Sequence, residues 1–165
     1  MIKRMLGLVL LPILLGACQL RTQDESKDRA EIHALLTAYG STIDARDFDG
    51  FARLFAKDGV YVTGDKAAGG KQAGENMRQV FAKNANGFRE PNFHMFFNEV
   101  ITLDDIDHAH ATSMSFWVVP GADDRPTPAM AARYEDKLVR EDGVWKFASR
   151  KIVGLKPPAP VPPKK

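Results

Sequence analysis

Four histidines and a single cysteine are the side chains of this 165-residue chain best suited to metal, nucleophilic or acid–base chemistry, so their spacing is the first thing to weigh. His108 and His110 lie two apart on one strand face, a spacing that can hold a metal, with His94 on an adjacent strand as a third candidate. Zinc asks for three or four converging ligands at about 2 Å. The chain has no CxxC or HExxH frame and its only cysteine is near the N-terminus, so no metal is expected. Gly69-Gly70-Lys71 invites comparison with a phosphate loop, but Gln72 follows the lysine and the glycine spacing does not fit, so no nucleotide is expected. Neither a Ser-His-Asp order nor a nucleophile elbow is present. His94 shares a strand face with Phe96 and Asn98, one apolar and one polar neighbour, which suits a pocket wall. His33 falls off the apolar face of its helix and is expected in solvent.

The cysteine has another context. Met1 to Arg4 carry two positive charges, and the apolar stretch Met5 to Leu15 has eleven residues, against roughly twenty for a membrane-crossing helix. Residues 1–17 therefore read as a signal peptide that is removed. Leu15-Gly16-Ala17-Cys18 resembles a bacterial lipobox, which implies lipidation of Cys18. Stable anchoring takes about two acyl chains, which that modification supplies. Gln19, where Asp would favour inner-membrane retention in the Gram-negative sorting pattern, implies an outer-membrane anchor facing the periplasm. Residues 18–27 are expected as the lipidated cysteine and a flexible tether, 28–155 as one folded domain, and 156–165, half proline, as a disordered tail. That tail is a spacer or a docking peptide. The formal charge of +2 falls to 0 without Lys3 and Arg4, and to about −3 once Lys156, Lys164 and Lys165 are set aside. With no basic stripe, nucleic acid is excluded as a partner.

Positioning elements follow from periodicity. Ile32, Leu35, Leu36, Tyr39 and Ile43 make Asp28 to about Asp44 an amphipathic helix. Asp47 caps a short second helix with Phe48, Phe51, Leu54 and Phe55 on one side, and Asp58-Gly59 stops it before a short strand at Val60 to Thr63. Gly64 to Lys71 reads as a flexible connection to a third helix, Gln72 to Lys83, that buries Met77, Val80 and Phe81. The period then changes to two: Asn92–Leu103, His108–Val119, Ala129–Glu141 and Val144–Val153 read as long strands, the last pair joined by Asp142-Gly143. The fold class is α+β: a cone-shaped α+β barrel with three N-terminal helices packed on a curved, mostly antiparallel sheet. Its open end makes a pocket for a small apolar molecule, with Phe93, Met95, Phe96, Phe97, Met114, Phe116 and Trp117 as apolar material.

From Ile32 to Ile152 the chain resembles the SnoaL-like branch of the nuclear transport factor 2-like superfamily. The matching pieces are Tyr39 with Ile43-Asp44, Leu54 through Gly59, His94 with Asn98 and Ile101, Tyr134-Glu135-Asp136 to Arg140, and Asp142 through Trp145 to Arg150. These are specific for the fold and less so for chemistry, since such cones host dehydratases, isomerases, hydrolases, cyclases and proteins without a known reaction. The resemblance implies Tyr39, Asp44 and His94 as catalytic residues and Phe96, Asn98, Phe116 and Arg150 as substrate-binding ones, with no cofactor. A histidine oriented by a carboxylate is a base near working pH, and a phenol can donate to a developing enolate or leaving hydroxyl. For Arg150 the alternative is a sheet-edge salt bridge to Asp136 or Glu135. The resemblance also implies a homodimer through the sheet face. Two functions stay open: a cofactor-independent dehydratase or isomerase of a small cyclic or polyketide-like substrate, and a non-catalytic carrier of a small apolar ligand.

Overall fold

The computed structural model describes residues 12–83 and 89–155, with side chains from residue 25 onward. The first eleven residues and the tail 156–165 lie outside the described residues, and so does most of the expected signal peptide. Helix α1 (Pro12–Asp44) starts sixteen residues ahead of its expected beginning. Residues 19–27, read as a flexible tether, are helical because they hold neither Gly nor Pro and several good helix formers, which cost little to add to a turn already nucleated. Ile32, Leu36, Tyr39 and Ile43 are buried, as the periodicity requires. At the start of the packed segment, Asp28 accepts from Arg140 and from Trp145 Nε1 (3.3 Å), and the guanidinium lies 4.5 Å over the Trp145 ring. Among the described residues, no helix is long and apolar enough to cross a membrane.

Helix α2 (Phe48–Arg53) is capped by Asp47, whose Oδ1 accepts from Gly50 N at 2.7 Å. It ends earlier than its apolar spacing suggests, because Phe55 opens strand β1 (Phe55–Thr63) opposite Phe147. The Asp58-Gly59 pair bulges that strand rather than stopping a helix. Only glycine fits there: a Cβ on Gly59 would stand 2.3 Å from the Phe147 carbonyl oxygen. The stretch expected as a loose connection forms strand β2 (Lys66–Gly69), paired with β1 through a turn at Gly64, φ +61°. Helix α3 (Gly70–Lys83) buries Gly70, Ala73 and Gly74, with Met77 and Phe81 half-buried; Val80, expected inside, is exposed.

Strands β3 (Phe93–Leu103), β4 (His108–Pro120), β5 (Pro126–Glu141) and β6 (Val144–Gly154) form the expected antiparallel meander. Strand β1 adds parallel to β6, giving one sheet in the order β2-β1-β6-β5-β4-β3. The helices cover one side of this curved, open six-stranded sheet, an α+β fold. Cross-strand partners share a face, so the register places Tyr61, Arg150, Asp136 and Ala111 in one row beneath the helices. Strict alternation separates Arg150 from Phe147. A register shift between Lys137 and Leu138 skips Ala148, and both Phe147 and Arg150 turn inward.

Arg150 is therefore no edge residue. It is fully buried, its Nη1 is 3.4 Å from Asp136 Oδ2, and its guanidinium lies 4.1 Å from the Tyr39 ring, 4.2 Å from Tyr134 and 4.7 Å from Phe147. Among the described residues, none of its nitrogens and neither Asp136 oxygen makes a hydrogen bond of good geometry. Burial pushes the Asp136 carboxyl up to about 6 from 3.8, against the opposing pull of Arg150 and helped by nearby Glu99. A carboxyl raised in the folded state favours folding when protonated, and that contribution is lost as pH rises from about 4 through about 6. Denaturant titrations at pH 4 and pH 7 should show the wild type losing about 3 kcal/mol relative to Asp136→Asn over that interval. A constant difference would mean that the carboxyl titrates normally.

Candidate active site

Asp44 is the last residue of α1. The chain leaves the helix through Arg46 in the left-handed region, φ +61°, and Arg46 Nη1 donates to the final carbonyls of Ile43 (3.2 Å) and Asp44 (3.1 Å). Arg46 thus bonds the main chain of Asp44, and the carboxylate turns to strand β3. Oδ2 accepts the His94 backbone N–H at 2.8 Å, and Oδ1 lies 2.7 Å from His94 Nδ1. In the neutral ring, donation from Nδ1 to Asp44 is the tautomer that leaves the lone pair on Nε2. The ring stacks against Phe96 (6.0 Å) and Trp117 (6.3 Å) and meets Tyr39 edge-on (6.1 Å). The two residues lie fifty apart in sequence, and α1 must approach β3 closely for them to meet. Gly40 allows it: a Cβ there would stand 2.8 Å from Phe96 Cε2 and 3.0 Å from His94 Cβ.

Asp44 and His94 form one end of a cleft of about 520 Å³ between α1 and β3, with Gly40 and Ser41 on one wall and Phe96 and Asn98 on the other. The far end is closed by His33, which is exposed yet bonds Glu99 (Nδ1 to Oε2, 2.6 Å). Asn98 reaches the cleft by an unexpected route: it takes φ +54° where the register slips between Phe97 and Val100. Phe116 does not reach it. It is 40% exposed on the opposite face and packs on Phe97 at 5.3 Å, with Phe93 and Met95 also exposed on that strand pair. A continuous apolar run in a strand sends half its side chains to each side, which the composition alone conceals.

Tyr39 is buried, and its hydroxyl points to the Tyr61 hydroxyl at 3.0 Å. Burial, reinforced by the phenols of Tyr61 and Tyr134, raises Tyr39 well above the ordinary phenol range, and burial pushes Tyr61 up to about 12. Both stay protonated donors at neutral pH. Tyr61 escaped the sequence reading, although its place between Val60 and Val62 marks it as alternating to another face. Tyr134, also raised by burial, bonds Ser115 at 3.1 Å. His108 and His110 are taken up at the β3–β4 turn by Asp105 (3.0 Å) and Asp104 (2.8 Å), away from His94. Among the described residues, no three His, Cys, Asp or Glu side chains converge as metal ligands.

The fold is shared with solved structures at low sequence identity. An NTF2-like protein with a cystatin-like fold from Novosphingobium aromaticivorans superposes with a TM-score of 0.72 at 20% identity, covering 92% of this chain and 95% of its own. A protein of unknown function from Mycobacterium tuberculosis gives 0.71 at 22%, covering 82% and 76%. A candidate scytalone dehydratase, also from N. aromaticivorans, gives 0.66 at 20%, covering 82% and 89%. No protein with a curated description matches the sequence. A family model for the SnoaL-like domain matches residues 24–151, from the helix that supplies Tyr39 and Asp44 to the strand that supplies Arg150. The chain therefore belongs to the SnoaL-like family, within the NTF2-like fold.

Proposed function

We propose that the domain is a cofactor-independent dehydratase or isomerase that abstracts a proton from a small cyclic or polyketide-like substrate held at the α1–β3 cleft. The observation that carries this reading is the two-point grip of Asp44 on His94, which fixes the ring and leaves Nε2 as a base. Nε2 takes a proton from the carbon next to a carbonyl, and the C–H electron pair moves toward the carbonyl oxygen. In dehydration that pair then expels a β-hydroxyl, which leaves as water with the proton returned from His94. In isomerisation the proton is redelivered to another carbon. Phe96 and Asn98 border the substrate. Arg150, closed in behind Tyr39 and Phe96, supplies positive potential rather than a direct contact. The candidate scytalone dehydratase among the structural neighbours is consistent with this class of reaction. In the same reading, Cys18 carries the lipid anchor on the periplasmic face of the outer membrane. The exposed outer face around Phe93, Met95, Phe116 and Met130 pairs two subunits.

Proton abstraction is readable without knowing the substrate. Cyclic ketones incubated with wild-type protein in D₂O should gain deuterium beside the carbonyl, followed by NMR. His94→Gln and Asp44→Asn should slow the exchange by about 10²–10⁴-fold. Gly40→Ala, which touches neither partner's polar atoms but displaces β3, should cost up to about 10²-fold. A ketone that stabilises wild type and variants equally and returns unexchanged would identify a carrier instead. The anchor has its own readout: membrane fractions of the bacterial host should retain the wild type and release Cys18→Ala, and equal partitioning would rule the lipid out.

A further inference from the structure

A cavity larger than the one beside His94 lies elsewhere in the fold. It measures about 830 Å³ and lies between α3 and the β1–β2 hairpin, within the range of small-molecule sites. Its floor and walls are apolar or aromatic: Tyr61, Ala68, Ala73, Met77 and the exposed Val80. Val80 at 49% exposure is a large aliphatic side chain that the core does not use. The rim amides are spoken for, since Gln72 Nε2 donates to Asn76 Oδ1 (2.9 Å) and Gln79 Nε2 to Glu75 Oε1 (3.1 Å). Two cations also border the cavity, Lys66 from β2 and Lys83 from the end of α3, and neither has an ion pair among the described residues. Asp65 adjoins Lys66 in the turn without pairing to it, and Glu75 is held by Arg78 and Gln79.

We infer that this cavity is a second binding site, separate from the Asp44–His94 cleft, for a small amphiphilic anion: an apolar chain or ring seated on Tyr61, Met77 and Val80 with a carboxylate between Lys66 and Lys83. The logic is complementarity. An apolar hollow alone takes any greasy molecule, whereas two unpaired ammonium groups on flexible stems favour an anionic end and can close on it. Ion pairs at a rim are exposed to solvent, so their contribution falls as salt screens them. The site does not depend on the proton-abstraction reading, because no residue lining it belongs to the cleft.

The test uses decanoate as probe and decanol as its uncharged counterpart, titrated into the full chain at low salt with ¹³C-methyl-labelled methionine. Decanoate should shift the Met77 methyl signal and leave Met95, on the outer sheet face, unmoved. Decanol should bind at least tenfold more weakly. The double variant Lys66→Glu, Lys83→Glu should weaken decanoate at least tenfold and leave decanol unchanged, and 0.5 M NaCl should act in the same direction. His94→Gln should bind decanoate as the wild type does. Equal affinity for decanoate and decanol, or indifference to the lysine variant, would overturn the anionic site. Loss of Met77 shifts in His94→Gln would mean that the probe occupies the catalytic cleft, overturning the second site without touching the first reading.

Discussion

The inner face of the sheet is organised around one buried positive charge. A guanidinium taken out of water is costly, and a single carboxylate at 3.4 Å without a well-directed hydrogen bond offsets only part of that cost. The remainder falls to ring faces, and Arg150 has four of them, from Tyr39, Tyr134, Phe147 and, farther off, Phe96. This explains why three different strands and α1 all direct aromatic groups to one point. It also explains the bulge between β5 and β6, which turns Phe147 and Arg150 to the same side. A cone of this size could have been filled with aliphatic residues. Here its centre is instead charged and sealed, with the α1–β3 cleft and the α3 cavity at its edges.

That arrangement fixes what α1 can do. Its packed length is held at both ends by a carboxylate, Asp28 on Arg140 and Trp145, Asp44 on His94. Between them Tyr39 lies over the guanidinium and Gly40 lets the helix settle on β3. The helix cannot rotate without exposing Tyr39 or pulling Asp44 from its histidine. The angle of α1 is thus a consequence of packing, and the geometry of the candidate base follows from that angle.

Much of this was legible in the sequence, and the failures have physical causes. The long α1 face, the meander and the Asp142-Gly143 turn follow from period and turn chemistry, which act locally. The meeting of Asp44 and His94 does not. It depends on Gly40, whose small size matters only once a partner strand is known, and family resemblance alone brought the pair together. Bulges were the main source of error: those at Gly59, at Asn98 and opposite Ala148 each reset which face a residue takes. Arg150, expected at a sheet edge, was misread for that reason; Asn98 lines the cleft as expected, though through its bulge, and Phe55 was misread because α2 ends before it. Phe116 was misread for another, since apolar runs do not say which half faces inward. Val80 lost its place to Ala73 and Gly74, because small residues bring α3 closer than its larger ones could.

The phenols link the two edges of the cone. Tyr39 is enclosed, its hydroxyl lies 3.0 Å from that of Tyr61, and the Tyr134 phenol is a second hydrogen-bonding neighbour. Each hydroxyl can donate once and accept twice. A buried hydroxyl proton without an acceptor costs about 1–3 kcal/mol, so the Tyr39 proton goes to one of these two phenols. Given to Tyr134, it leaves the Tyr39 oxygen able to accept from Tyr61; given to Tyr61, it closes the 3.0 Å contact directly. Both arrangements satisfy the Tyr39 donor, and in both its proton stays within the phenol cluster. The Tyr39 hydroxyl, expected as the acid, is therefore turned to other phenols, and His94 meets its ring instead. Any acid needed at the α1–β3 cleft has to come from water or from the His94 imidazolium itself.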